Sequence, residues 1–66
     1  MSKLIAASKI EGCYTVTMRE HDHGKMGKTY TVRYGKQSQH LCNLTLAQEE
    51  YQFCVLHQYA CAGFNK

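Results

Sequence analysis

The sequence predicts an α+β fold: an antiparallel sheet of two to three strands, built on a hairpin of residues 13–20 and 28–35, packed on one C-terminal helix over 46–62. Two observations carry this reading. Tyr14-Thr15-Val16-Thr17-Met18 and Thr29-Tyr30-Thr31-Val32-Arg33-Tyr34 alternate polar and apolar residues, and a capped helical run opens at Thr45. At 66 residues the chain makes a single domain, 1–66.

Period-two alternation of β-branched and aromatic residues is the pattern of a strand with one buried face. Residues 20–27 between the two runs are polar and contain Gly24 and Gly27, which suits a hairpin loop in which φ turns positive. A turn centred at Gly24 pairs Tyr14 with Tyr34, Val16 with Val32 and Met18 with Tyr30, so the larger apolar side chains share one face. The other face then carries Thr15, Thr17, Arg19, Thr29, Thr31 and Arg33.

Thr45 followed by Gln48 has the form of a capping box, and Glu49 and Glu50 suit the positive end of the helix dipole. Gly63 is placed as a left-handed C-cap, with Phe64 folding back on the last turn. On a helical projection Phe53, Leu56 and Ala60 lie together, while Tyr51, Val55 and Ala62 lie nearly opposite. One side is expected to cover the sheet and the other to stay exposed. Residues 37–44 read as a third strand or a loop, Lys3–Ala7 as an edge strand or a turn of helix, and Ile10 as docking on the core.

A chain this short removes only roughly 60% of its unfolded surface from water, which leaves a thin core and little room for a deep substrate cavity. A non-enzymatic role is therefore expected. Nothing approaches the ~20 apolar residues of a membrane span, and no secretory signal is legible, so the expected location is cytoplasmic, away from membranes. The four cysteines are then expected to be reduced thiols. A net charge of +3 is mildly basic and suits an acidic partner without requiring nucleic acid.

Four groups of residues carry candidate chemistry. Cys54, His57 and Cys61, at i, i+3 and i+7, offer two thiolates and an imidazole to zinc, with Cys13, Cys42 or His40 as a fourth ligand. Buried free cysteine gives the same pattern, so no cofactor is expected, zinc being the one candidate. His21-Asp22-His23 suits a metal or a solvated turn, and Cys54 with His57 is the near pair for a thiol nucleophile. Arg19 and Arg33 among Thr15, Thr17, Thr29 and Thr31, with Lys25 and Lys28 at the loop, suit phosphate or base contacts, although a solvated strand face has the same composition. Tyr51, Val55 and Tyr59 suit the anchor of a protein interface, heterologous or homodimeric.

The order of hairpin, third strand and capped helix resembles the three-stranded-sheet DNA-binding modules of integrase arm-binding domains and plant AP2 domains. The run from Tyr14-Thr15-Val16 through Gly27-Lys28-Thr29-Tyr30 to Leu44-Thr45-Leu46-Ala47-Gln48-Glu49-Glu50 follows that rhythm. In size and type the chain also resembles small phage and mobile-element inhibitors, including anti-CRISPR proteins, which block a larger machine by stoichiometric binding. This second resemblance implies an inhibitor or modulator of a host protein or ribonucleoprotein. The alternatives are sequence-tolerant DNA binding by the Thr/Arg face and a small zinc-binding domain.

Overall fold

The computed structural model describes residues 2–64, the side chain of Phe64 excepted. It is an α+β fold with four antiparallel strands in the order β1-β2-β3-β4, one more than the longest sheet expected, backed by a single helix. The strands are β1 (Ser2–Ser8), β2 (Val16–Asp22), β3 (Lys28–Tyr34) and β4 (Gln37–Leu41), and the helix α1 is Leu44–Phe64. Of the two readings of residues 37–44, a strand or a loop, residues 37–41 form a strand, and the N-terminal segment is an edge strand rather than a turn of helix.

The central hairpin keeps the expected faces but slips by two residues. Val16 pairs with Tyr34, Met18 with Val32 and Glu20 with Tyr30, because the loop centres on Lys25 inside a short 3-10 turn, Gly24–Met26. A one-residue shift of the turn moves the register by two, which preserves parity and leaves every apolar side chain on the same side. Tyr14 lies before the strand, which starts at Val16.

β1 joins β2 through an irregularity between Leu4 and Ala6, where Ile5 is the extra residue. Such a bulge changes which face successive side chains meet. Ile5 and Ala6 consequently both pack against the core. β3 turns into β4 through Gly35 and Lys36, with Gly35 at φ +61, a conformation that L side chains adopt only at a cost.

The core is Val16 and Met18 of β2, Tyr30 and Val32 of β3, and Ala47 and Cys54 of α1. The helix faces the sheet through Ala47, Tyr51, Cys54 and Gln58, spaced four, three and four residues apart. Asn43, rather than Thr45, caps its start: the Asn43 side-chain oxygen accepts from the Leu46 amide at 2.8 Å, and its carbonyl accepts from the Ala47 amide at 3.2 Å. Gly63 lies within the helix rather than ending it in a left-handed conformation. The expected contact of Phe64 lies outside the described side chains.

Candidate functional site

Three regions carry the residues singled out from the sequence. The first is an open groove of about 900 Å³ between α1 and the strand ends, lined by Cys13, Tyr14, Tyr34, Cys54, His57 and Cys61 among others. Along its wall the Tyr34 hydroxyl lies 3.0 Å from His57 Nδ1, and Cys61 Sγ lies 3.6 Å from the same nitrogen. The Tyr34 and His57 rings meet edge to face at 5.6 Å. Burial, with Cys61 nearby, pushes the Tyr34 hydroxyl above its ordinary 10.0.

Cys54 is separate from this contact. It is buried and reaches Glu50 Oε1 at 3.7 Å, and burial first, then the Glu50 carboxylate, push its thiol above 9.0. The thiol beside His57 is therefore Cys61 and not Cys54, and Cys54 stays protonated, which opposes the nucleophile pairing expected from the sequence. All four cysteines are free. Among the described residues no three His, Cys, Asp or Glu side chains gather as a cation would require. His40 lies on the far face of the sheet, bonded to Thr31.

The second region is the sheet face turned away from α1. The register puts Thr17, Arg19 and His21 of β2 beside Thr29, Thr31 and Arg33 of β3, with Ser38 and His40 of β4 outside them. None of the strand residues on this face carries a carboxylate. Thr31 Oγ1 bridges His21 Nε2 at 2.8 Å and His40 Nδ1 at 3.1 Å, and Thr29 Oγ1 meets His23 Nε2 at 2.8 Å. Thr15, Thr17, Arg19 and Arg33 line one shallow hollow with Tyr14 and Gly35.

The two lysines grouped with this face stand elsewhere. Lys28 has the parity of Tyr30, on the opposite side, and pairs with Glu20 at 3.3 Å, an ion pair that raises its pKa from 10.5. Lys25 is in the 3-10 turn at the far end of the hairpin from Arg33.

The third region is the outward side of α1, and here the helix is turned the other way from the expected anchor. Tyr51 and Val55 pack against the core, and of the anchor trio only Tyr59 is exposed, at 60%. Phe53 is 67% and Leu56 70% exposed, with Leu46 also open to solvent. The reason is Gln58, fully buried on the inward side. Its amide nitrogen donates to the carbonyls of Ser8 and Tyr14 at 2.9 and 2.7 Å. Those carbonyls need a donor when buried, and the small Ala47 and Cys54 let the helix come close enough to supply one.

Comparison with protein-family models, with curated proteins and with solved structures finds no match. The fold and these surfaces therefore define the class: a small α+β domain with a four-stranded antiparallel sheet, one open sheet face and one open apolar helix face. Among the described residues, no helix is long and apolar enough to cross a membrane.

Proposed function

We propose that this chain is a non-enzymatic binding module that occupies and modulates a protein partner, or the protein part of a ribonucleoprotein, through the outward face of α1. The observation that carries this reading is the stripe Leu46, Phe53, Leu56 and Ala60, flanked by Tyr59, on a helix whose opposite side already serves the fold. Scattered exposed apolar residues need no explanation, but several on one helix face mark an interaction surface. Spacings of three, four and seven residues are those by which a helix reads a groove.

Charge narrows the partner. Residues 44–64 contain no lysine or arginine, and their acidic residues are Glu49 and Glu50. Glu49 falls within the exposed stripe, between Leu46 and Phe53. A groove with an apolar floor and a basic rim complements this surface. A parallel second copy sets Glu49 against Glu49, which disfavours that self-association. Stoichiometric inhibition of the anti-CRISPR kind is the mode such a surface serves, since it binds without transforming its partner.

The test pairs solution mass with capture. Light scattering on the purified chain is expected to give a monomer, and affinity capture a defined partner in fixed ratio that Phe53→Asp with Leu56→Asp abolishes. A dimer dissolved by the same double substitution, or capture that survives it, contradicts the proposal.

A further inference from the structure

We infer that the hollow formed by Tyr14, Thr15, Thr17, Arg19 and Arg33 is a binding site for single-stranded nucleic acid, with a base on the Tyr14 ring and the adjoining phosphates against the two guanidinium groups. Thr17, Arg19 and Arg33 of this surface lie on the sheet face away from α1, and Tyr14 stands at the sheet corner, where it lines both this hollow and the groove beside the helix. The proposal uses neither Phe53 nor Leu56 and stands whether or not the outward helix face binds a protein.

Three observations converge on it. First, Arg19 and Arg33 are diagonal neighbours across β2 and β3, since Arg19 pairs with Thr31 and Arg33 with Thr17. Diagonal positions lie roughly 7–8 Å apart, within reach of long side chains that converge on one anion. The Arg33 Nε donates to the Gly35 carbonyl at 3.4 Å, which anchors the guanidinium at the rim of the hollow that Arg33 lines, and its two terminal nitrogens carry further donors. Thr15 and Thr17 line the same hollow of about 400 Å³ and add hydroxyl donors to phosphate oxygens.

Second, the face is electrostatically one-sided. Its strand positions carry arginine, histidine, threonine and serine, with Leu4 and Ala7 of β1, and no carboxylate, so an anion meets no negative charge from the strands of this face.

Third, Tyr14 is placed as a stacking platform. Its ring lies over Gly35, close enough that a Cβ there would come within 2.9 Å of Tyr14 Cγ, and Tyr34 braces it edge to face at 6.5 Å. Held in this way it is still 65% exposed. A fixed aromatic ring with an open side beside two cations is the arrangement that holds unpaired bases regardless of sequence.

That geometry selects a single strand over a duplex. The base of a duplex is stacked on its neighbours and does not reach a ring at the sheet corner, and two arginines with a net charge of +3 make a small footprint for tracking double-stranded phosphates.

The experiment is fluorescence anisotropy at low salt with a labelled oligothymidylate of about twelve nucleotides, within the ~4–16 nucleotides that small binding folds cover. An oligouridylate of the same length and a duplex of matched length form the other arms. The single strands are expected to bind, the duplex more weakly, and the oligouridylate and oligothymidylate arms to tell RNA from DNA as the preferred strand. Tyr14→Ala is expected to weaken single-strand binding roughly tenfold or more while Tyr14→Phe retains it. Arg19→Ala with Arg33→Ala is expected to lower the dependence of log affinity on log salt by roughly 0.7 for each phosphate that is no longer neutralised. All three side chains are open to solvent, so far-UV circular dichroism should show each variant folded. No single-strand binding by the folded wild type, a duplex bound more tightly, or affinity unchanged in Tyr14→Ala would overturn the inference.

Discussion

Ser8 and Gln58, fifty residues apart, hydrogen-bond each other reciprocally: Ser8 Oγ donates to Gln58 Oε1 at 2.6 Å, and Gln58 Nε2 donates back to the Ser8 carbonyl at 2.9 Å. The same amide also holds the Tyr14 carbonyl, so one buried side chain ties the end of β1 and the approach to β2 onto the helix. Gln58→Leu keeps the volume and removes these partners. It is expected to cost about 2–4 kcal/mol, since each stranded buried group costs ~1–3 kcal/mol. Thermal denaturation should show a fall of roughly 4–8 °C per kcal/mol in a domain of this size. A Gln58→Leu variant as stable as wild type would show that those carbonyls find other donors.

Stability should fall on the alkaline side. Burial pushes the Cys54 thiol above 9.0 and the Tyr34 and Tyr51 hydroxyls above 10.0, so the folded chain holds these protons more tightly than the unfolded one. Their contribution is fully present below the unfolded values and is lost as pH rises through the raised folded ones. Urea midpoints are expected to be higher at about pH 8 than at about pH 10.5. In Cys54→Ala the decline should begin later, with the phenols. Lys28 shifts in the same direction beside Glu20, but its ion pair is open to solvent and adds little.

The helix start offers a paired test. Asn43→Ala should cost about 1 kcal/mol, because its side chain caps the Leu46 amide. Thr45→Ala, at an exposed position inside the first turn, should stay within about 0.5 kcal/mol of wild type. Equal losses in both variants would restore Thr45 as a cap.

The two sides of α1 should separate in stability measurements. Tyr51→Ala removes a half-buried ring packed on the core and is expected to cost about 1–3 kcal/mol, less than full burial would cost. Phe53→Asp with Leu56→Asp should leave the melting temperature nearly unchanged, since both side chains stand in water.

Much of the sheet is legible in the sequence because alternation is a local signal: the faces of Val16, Met18, Tyr30 and Val32 follow from parity alone, even with the turn displaced by one residue. The orientation of the helix is not. Both of its sides are apolar, so periodicity offers no preference, and Gln58 has the character of a solvent-facing residue until the carbonyls of Ser8 and Tyr14 are known to need it. The inward spacing of Ala47, Tyr51, Cys54 and Gln58 becomes a signal only once a glutamine is allowed inside. The Arg19 and Arg33 pair is legible from the same alternation that gives the strands. The place of Tyr14 beside it depends on Gly35, an approach across the sheet corner that no local pattern encodes.

The most direct test of the helix face as the working surface is site-specific photo-crosslinking in the cells that make the protein, with a photoreactive phenylalanine at position 53 or 56 and a control at exposed Lys25. The expected result is one defined crosslinked partner, the same from 53 and 56 and absent from 25. Crosslinks at 53 and 56 only to a second copy of the chain, or no defined species at either position, would contradict the account.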